Sequence, residues 1–218
     1  MGKISAIDIK RLWYTDEIQG ALTPYALQTI VGKRKYGKSG DTGYSASDTE
    51  GTGTLTGFAK GVEIKNVHQD TWQIDESEAS QDSYRNQLTG RVYRLGRRQM
   101  GDLTVNFTVG QYDYETKANL MGGVMLDNTG AETTVAANAV GWARAEEAVE
   151  MYKTIIALTI DDVYVVISRA SLGAREASTD NAIGMAMSGT MTDSVHDNVK
   201  DEYWYDMVTV NAATAPQA

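Results

Sequence analysis

One segment of the chain matches a nucleotide-binding motif letter for letter. Gly32–Ser39 reads GKRKYGKS and satisfies the phosphate-loop pattern G-x-x-x-x-G-K-[ST]. That motif needs a buried strand before the loop and a helix after it, so that backbone N–H groups face the phosphates. Leu27–Val31 is an apolar lead-in, but Gly40–Ser45 has no helical periodicity. The pattern therefore predicts a basic, glycine-rich loop, and nucleotide binding is a remote alternative.

The other chemistry-bearing residues are poorly arranged for catalysis. His68 and His196 are the two histidines, and neither has a second histidine at a metal-ligand spacing. The chain has no cysteine, which excludes disulfides and thiolate metal sites and fits a reducing compartment. The nucleophile pattern G-x-S-x-G is absent. We predict no enzymatic activity, no metal site and no cofactor.

Length and charge favour one acidic domain that buries a core. The 218 residues are 42% hydrophobic and carry a formal net charge of −9, which repels nucleic acid as a whole. Asp8, Asp16 and Glu17 interrupt the first twenty residues, so we expect no secretory signal. Asp161 and Asp162 break the most apolar stretch, so we expect no membrane span.

Charged residues fall in blocks of opposite sign. A basic block lies at 33–38 and another at 91–98, with a largely acidic segment between them. Such blocks suit head-to-tail association, although composition alone favours plain solvated loops. The candidate intersubunit residues are Lys33, Arg34, Lys35, Lys38, Asp75, Glu76, Glu78, Arg91 and Arg94.

The elements that must position these residues are clearest at Asp102–Gly123. Leu103–Val109 alternates apolar with polar residues, as expected of a strand that packs one face on a core. Asp113 then caps a short helix, Tyr114–Met121, which Gly122 ends. Further strands are predicted at Tyr152–Ile160 and Val163–Ser168, joined by a tight turn. The remaining predicted strands are Tyr203–Val210 and Ala182–Met191, of which the second has a methionine-rich face formed by Ile183, Met185, Met187 and Met191.

The first half of the chain is less regular. We expect an N-terminal arm over 1–20, in which Ile4–Trp13 is an edge strand or an extended segment, and a short helix at Tyr25–Val31 capped by Thr23. Long loops or loosely ordered hairpins are expected over 32–61 and 68–90, and a frayed tail at 211–218. Residues 143–151 fit helix or strand. The predicted fold is mainly β: one domain over 1–218 that forms a β-sandwich or barrel-like pair of antiparallel sheets, with one short flanking helix.

The order and spacing of the elements from Gly90 to Thr192 resemble the major tail tube proteins of long-tailed bacteriophages, which are related to the tube of type VI secretion. The resemblance rests on Asp102–Gly123, on the strand pair with Ser168–Ala170, and on the small-residue strand Ala182–Met191. It implies hexameric rings that stack into a tube for DNA ejection, in the virion tail after assembly in the host cytoplasm. Implied partners are other copies of the chain and the tape-measure, tail-terminator and baseplate or tip proteins.

Within that resemblance, three groups of residues receive roles. Thr104, Asn106 and Thr108 are expected to face the lumen, where DNA passes without specific binding. Tyr114, Ala118 and Met121 are expected to pack the helix laterally, and the charged loops to join rings. Another self-assembling β component, such as a minor tail or secretion-system ring protein, is the alternative.

Overall fold

Antiparallel strands make up most of the chain. The computed structural model describes residues 8–32, 55, 57–147, 149–179 and 182–213. The mainly β class predicted from the sequence is confirmed. The strands are β1 Ile9–Thr15, β2 Val62–Ile64, β3 Gln73–Glu76, β4 Ser83–Arg85, β5 Val92–Leu95, β6 Leu103–Val109, β7 Val124–Leu126, β8 Glu132–Thr133, β9 Gly141–Ala143, β10 Met151–Thr159, β11 Val163–Thr179, β12 Ala182–Met191 and β13 Glu202–Asp206. The helices are α1 Pro24–Ile30, α2 Tyr114–Met121 and α3 Met207–Ala212, with a 3₁₀ turn at Ala136–Asn138.

The largest sheet curls into a barrel. Its strand order is β2-β1-β10-β11-β12-β6-β3, and β13 pairs with β11 outside this path. The chain after β2 closes the barrel against β6: the His68 N–H donates to the Thr108 carbonyl and the Gly110 N–H to the Asn66 carbonyl, both at 2.8 Å. Smaller sheets are formed by β4-β5 and by β8-β7-β9.

The long strand β11 belongs to both walls of the barrel. Val163–Ile167 pairs with β13, whereas Ala170–Thr179 pairs with β12. The change of partner falls at Ser168 and Arg169: the Ser168 N–H donates to the Asp201 carbonyl at 2.9 Å, and the Arg169 carbonyl accepts from Thr192 N–H at 3.0 Å. The first part of β11 thus belongs to a wall with β2, β1, β10 and β13, and its second part is the fourth strand of a second wall with β3, β6 and β12.

The main core lies inside the barrel. Along β6 the residues alternate between buried and half-buried, as the sequence predicted, with Val105, Phe107 and Val109 at most 1% exposed. The predicted methionine face of β12 is confirmed for Met185 and Met187, which are buried in the same cluster, and for Met191, which packs against it, whereas Ile183 is exposed. Inward side chains from both walls thus share one apolar interior.

A second core covers the outer side of the first wall. Trp13, Ile156 and Tyr164 project outward from β1, β10 and β11 and pack against α1 and Val210 of α3. Gln28 of α1 joins the two helices, since its Nε2 donates to the carbonyls of Val210 and Asn211 at 3.0 Å each. The predicted Thr23 cap is present, with its hydroxyl accepting from the Ala26 N–H at 3.2 Å.

The helix α2 forms as predicted. The Asp113 carboxylate accepts a 2.7 Å hydrogen bond from the Thr116 N–H, and Gly122 ends the helix with a φ of 78°. Leu120, rather than Tyr114 or Ala118, is the fully buried residue of this helix. The hydrogen bonds from Thr116 hold the pKa of Asp113 below its ordinary value.

The Asp113 cap yields a pH-dependent prediction. Asp113→Ala should lower the free energy of unfolding by about 1 kcal/mol at pH 7, because one helix N–H loses its acceptor. A depressed folded pKa means that the carboxylate stabilises the fold above its unfolded pKa of about 4, and that this contribution is lost as the pH falls further. Urea unfolding at pH 7 and pH 3 measures the difference. Asp113→Asn keeps an acceptor and serves as the control; equal stability of Asp113→Ala and the parent at pH 7 would contradict the assignment.

Several boundaries predicted from the sequence are wrong. Residues 9–15 form a strand as one of the two alternatives predicted, but it is neither an edge strand nor a free arm, because β1 pairs with β10 on one side and β2 on the other, and Leu12–Tyr14 is buried. The last predicted strand ends at Asp206, after which the chain turns into α3. β11 continues well past Ser168, and β7, β8 and β9 were not predicted.

The predicted loops differ in outcome. The segment 68–90 is one limb of a hairpin rather than a loop, since it contains β3, which pairs with β6, and β4, which pairs with β5. Residues 144–147 and 149–150 form neither helix nor strand, between Ala143 of β9 and Met151 of β10. Most of the predicted loop 32–61 and the end of the tail lie outside the described residues.

Candidate functional site

The second wall presents a wide outward face made of small, mostly uncharged residues. Directly paired residues share a face, so the registers place the strand residues of this face in rows. Two rows cross β3, β6, β12 and β11 in that order: Asp75–Thr104–Thr190–Ser171 and Gln73–Asn106–Ser188–Gly173. A third row, Thr108–Ala186–Arg175, crosses β6, β12 and β11. The sequence prediction that Thr104, Asn106 and Thr108 share one face is confirmed. Asp75 and Arg175 are the charged residues in these rows.

Both lateral edges of this wall are open among the described residues. β3 is the last strand of the sheet, and no described strand pairs with its outer side. At the opposite edge, β10 pairs with β11 only as far as Leu172, so Gly173–Ser178 has a strand partner on the β12 side alone. Unpaired strand edges are templates for pairing with another chain, and natural proteins usually cover them. The wall therefore has unpaired backbone groups along both of its described edges.

A long hairpin projects from the same wall. The hairpin continues β3 and β6 away from the wall. Along it the Ser77 N–H donates to the Asp102 carbonyl at 3.0 Å, Ser80 forms a β-bridge with Gln99, and β4 pairs with β5. The tip is ordered by Asn86, whose side-chain oxygen accepts from the Leu88 N–H at 2.7 Å, and by Gly90 at a φ of 67°. We call residues 77–101 the arm. It extends about 30 Å beyond the wall, at about 3.4 Å a residue.

No side chain of the arm is buried, although several are large and apolar. Leu88 is 94% exposed, Met100 84% and Tyr93 69%. The arm contains five arginines and two acidic residues, Glu78 and Asp82, so its formal charge is +3. The chain total of −9 then leaves −12 on the remainder. Exposed apolar side chains with cations around them are typical of interaction surfaces, and the charge of the arm is opposite in sign to that of the rest of the chain.

The structure brings some of the predicted intersubunit residues together and leaves others aside. Asp75 and Glu76 lie on β3, and Glu78 lies at the base of the arm, whereas Arg91 and Arg94 lie near its tip. The Arg94 guanidinium stands 5.5 Å from the Tyr84 ring centre. The acidic residues Asp75, Glu76 and Glu78 and the second basic block thus belong to one hairpin rather than to separate loops. Lys33, Arg34, Lys35 and Lys38 lie outside the described residues.

The helix α2 is held beside β11 by a charged cluster. Lys117 lies 2.7 Å from a Glu176 carboxylate oxygen and 4.0 Å from the Trp142 ring centre. The Lys117 hydrogen bond keeps the pKa of Glu176 below its usual range. On the predicted lateral face of the helix, Met121 packs on the protein's own core and Tyr114 is exposed. Ala118 is half-buried.

No arrangement typical of catalysis is found in the described part of the chain. Gly32 follows the helix α1, whereas a phosphate loop follows a strand. Among the described residues no group of three or more histidines and carboxylates is placed to hold a metal ion. No described helix is long and apolar enough to cross a membrane.

Sequence reasoning missed the two features that define the candidate site. Arg175 was not singled out, because a lone charge inside a small-residue segment carries no motif. The open edges were also missed, since they depend on which strands become neighbours. The alternation of the polar or small residues Ser171, Gly173 and Arg175 with Leu172 and Ala174 was the signal available in the sequence.

The sequence matches no protein-family model, and no curated protein matches it. The resemblance to tail tube proteins therefore rests on the order and spacing of the elements.

Proposed function

We propose that this chain is a structural tail-tube subunit that closes into hexameric rings, which stack into a conduit for viral DNA. The observation that carries the proposal is the second wall: a four-stranded antiparallel sheet with an uncharged polar centre and an open edge on each side. A sheet with two open edges can join copies of itself laterally, and a curved array of such sheets closes without leaving an edge.

The dimensions of such a ring suit a DNA conduit. Six four-stranded sheets, with strands about 4.8 Å apart, form a wall about 115 Å around when the strands run along the axis, and a wider one when they tilt. The corresponding backbone diameter is about 37 Å or more. After side chains are subtracted, this leaves room for a DNA duplex about 20 Å across.

The chemistry of the outward face suits passage rather than binding. Each cation that neutralises a phosphate adds salt-dependent affinity for DNA and would retain it. Thr104, Asn106, Thr108 and Ser188 are uncharged, and the net acidity of the chain adds repulsion. The proposal places this face on the lumen, with α1 and α3 on the opposite side of the subunit.

The arm supplies the contact between rings in this proposal. Its exposed apolar side chains would gain burial, and its +3 charge would meet the acidic body of a copy in the next ring. A contact of this kind joins unlike surfaces, so it repeats without closing and produces a tube. The tape-measure, tail-terminator and baseplate or tip proteins would be its partners in the virion tail, and catalysis has no part.

Electron microscopy of the purified full-length chain tests the function. We expect hexameric rings or stacked tubes with a central channel, formed without nucleotide or metal. A chain that stays monomeric across a wide range of concentration, or that binds ATP as a monomer, would overturn the proposal.

Lysines on the proposed lumen face should convert the conduit into a DNA-binding tube. Thr104→Lys with Asn106→Lys adds twelve positive charges to each hexameric ring, and we expect tubes that retain DNA at low salt and release it as salt rises. Filter binding of short duplexes to assembled tubes measures the retention. Val208→Lys with Thr209→Lys adds the same charge on exposed positions of α3 and should retain little. Equal retention by the two variants would remove Thr104 and Asn106 from the lumen.

A further inference from the structure

On each open edge, every second residue directs its backbone N–H and C=O groups outward, and the two edges can be aligned so that these residues face each other. The Ser77 N–H bonds to Asp102 of the neighbouring strand, so odd-numbered residues of β3 direct their backbone groups towards β6, and Ile74 and Glu76 direct theirs outward. The Arg169 carbonyl accepts from Thr192, so odd-numbered residues of β11 face β12, and Ala174, Glu176 and Ser178 face outward. Because adjacent strands of the wall alternate in direction, β3 of one copy meets β11 of the next antiparallel.

This alternation of outward-facing backbone groups permits a register in which two oppositely charged side chains face each other. With Ile74 opposite Glu176 and Glu76 opposite Ala174 as hydrogen-bonded pairs, Asp75 falls opposite Arg175 in the non-hydrogen-bonded position between them. Both residues belong to the outward face of the wall, since they share it with Thr104 and Ala186 through their paired rows. Side chains approach most closely at such a position.

We propose that Arg175 pairs with Asp75 of the neighbouring copy and thereby sets the register in which subunits join. The inference rests on the proposed ring and names the residues that specify its lateral contact. Neither side chain has an ion-pair partner among the described residues, although both lie on exposed strand positions. Charge pairs across strands select one register over others even where their net contribution to affinity is modest.

The neighbouring registers are less favourable for two different reasons. If β3 is shifted by two residues towards the C-terminal end of β11, Asp75 faces Ala177. Glu76 then lies directly opposite Glu176, and the two carboxylates repel each other. If β3 is shifted by two residues in the other direction, Asp75 faces Gly173 and Glu76 would have to pair with the backbone of Leu172. That backbone already pairs with Met151. Shifts of one residue direct the free backbone groups of the two strands away from each other.

Disulfide cross-linking reads the register directly, because the native chain has no cysteine. Asp75→Cys with Arg175→Cys should give a ladder of covalent oligomers ending at six subunits when assembled rings are oxidised. Within one copy these positions lie on the two outer strands of the wall, too far apart for an intrachain bond. The matched controls are Asp75→Cys with Ala177→Cys and Asp75→Cys with Gly173→Cys, which report the two shifted registers. We expect each control to cross-link at least about tenfold more slowly.

A charge exchange supplies an independent measurement. Arg175→Asp and Asp75→Arg should each raise the subunit concentration needed for ring formation by about tenfold or more, because like charges then face each other at every lateral contact. The double variant should restore assembly. Lys200→Asp changes the charge of an exposed residue elsewhere and should assemble like the parent, and circular dichroism checks that each variant is folded.

The outcomes separate the register from the ring itself. Rings in the parent protein together with faster cross-linking of a shifted pair, or with no restoration in the double variant, overturn the Asp75–Arg175 register and leave the ring standing. A parent protein that forms no rings overturns the proposed function and the register with it.

Discussion

Reversing two charges near the tip of the arm, Arg91→Glu with Arg94→Glu, is expected to abolish tube formation while the rings persist. The arm carries a +3 charge on a chain whose remainder is −12, so its contact with another copy depends on attraction between unlike surfaces. The reversal makes the arm −1, and the like-charged body of the next ring then repels it. No arm side chain contributes to the core, so the fold should be unaffected. Sedimentation velocity and electron microscopy distinguish rings from tubes.

The matched control for this prediction is Lys60→Glu with Lys200→Glu. It changes the net charge by the same amount at exposed positions outside the arm. Tube formation by the parent should also weaken as the salt concentration rises from about 0.1 to 1 M, since screening shortens the reach of exposed charges. Tubes of normal length from the arm variant, or their loss in the control alone, would show that the arm does not join rings.

Phe107→Ala is expected to cost about 4 kcal/mol of unfolding free energy. Phe107 lies in the middle of β6, is 1% exposed, and contacts the Trp72 ring at a centroid distance of 6.1 Å. Truncation leaves a cavity between the two walls of the barrel, and closely packed strands cannot collapse to fill it. Urea unfolding of the soluble subunit measures the loss, which is large beside the total stability of an ordinary domain.

The adjacent residue provides the control. Thr108 lies next to Phe107 on β6 but points to the outward face, and no hydrogen bond of its hydroxyl is seen among the described residues. Thr108→Ala should therefore change the unfolding free energy by only about 0.5 kcal/mol. A similar cost for both substitutions would mean that β6 is not packed on one face as described.

These two variants assign different roles to the two parts of the hairpin that begins at β3. Its base shares the barrel core through Ile74 and Phe107, so substitutions there act on folding. Its arm contributes no buried side chain and is held by backbone pairing and by the Asn86 turn. Substitutions in the arm should act on assembly alone, provided that the Asn86 turn is left intact.

Local patterns predicted the elements whose shape depends on near neighbours in sequence. The alternation of Leu103–Val109, the Asp113 cap with Gly122, and the turn at Asp161–Asp162 each follow from side-chain period or turn chemistry, and the structure confirms them. Thr23 and Pro24 likewise predicted the start of α1. These signals lie within a few residues, where the backbone responds to its own side chains.

The wrong predictions share a different cause. The segment 68–90 is rich in polar residues because the arm is solvated on both faces, so it lacks the alternation that marks a half-buried strand. Ile9–Thr15 has no clean alternation for the opposite reason: the barrel core takes one face of β1 and the α1 cluster takes the other. In both segments tertiary surroundings, rather than local pattern, determine the structure.

The sequence by itself determined the mainly β class, the inward residues of β6 and β12, the capped helix α2 and the polar character of the Thr104–Thr108 face. Only the tertiary structure decided that β3 and β11 are the outer strands of one wall, that their free backbone groups are in phase, and that Asp75 and Arg175 share a face. The physical reason is that side-chain period specifies the face of a strand, whereas strand order and register arise from pairings between segments far apart in the sequence, such as β6 with β12 and β1 with β10.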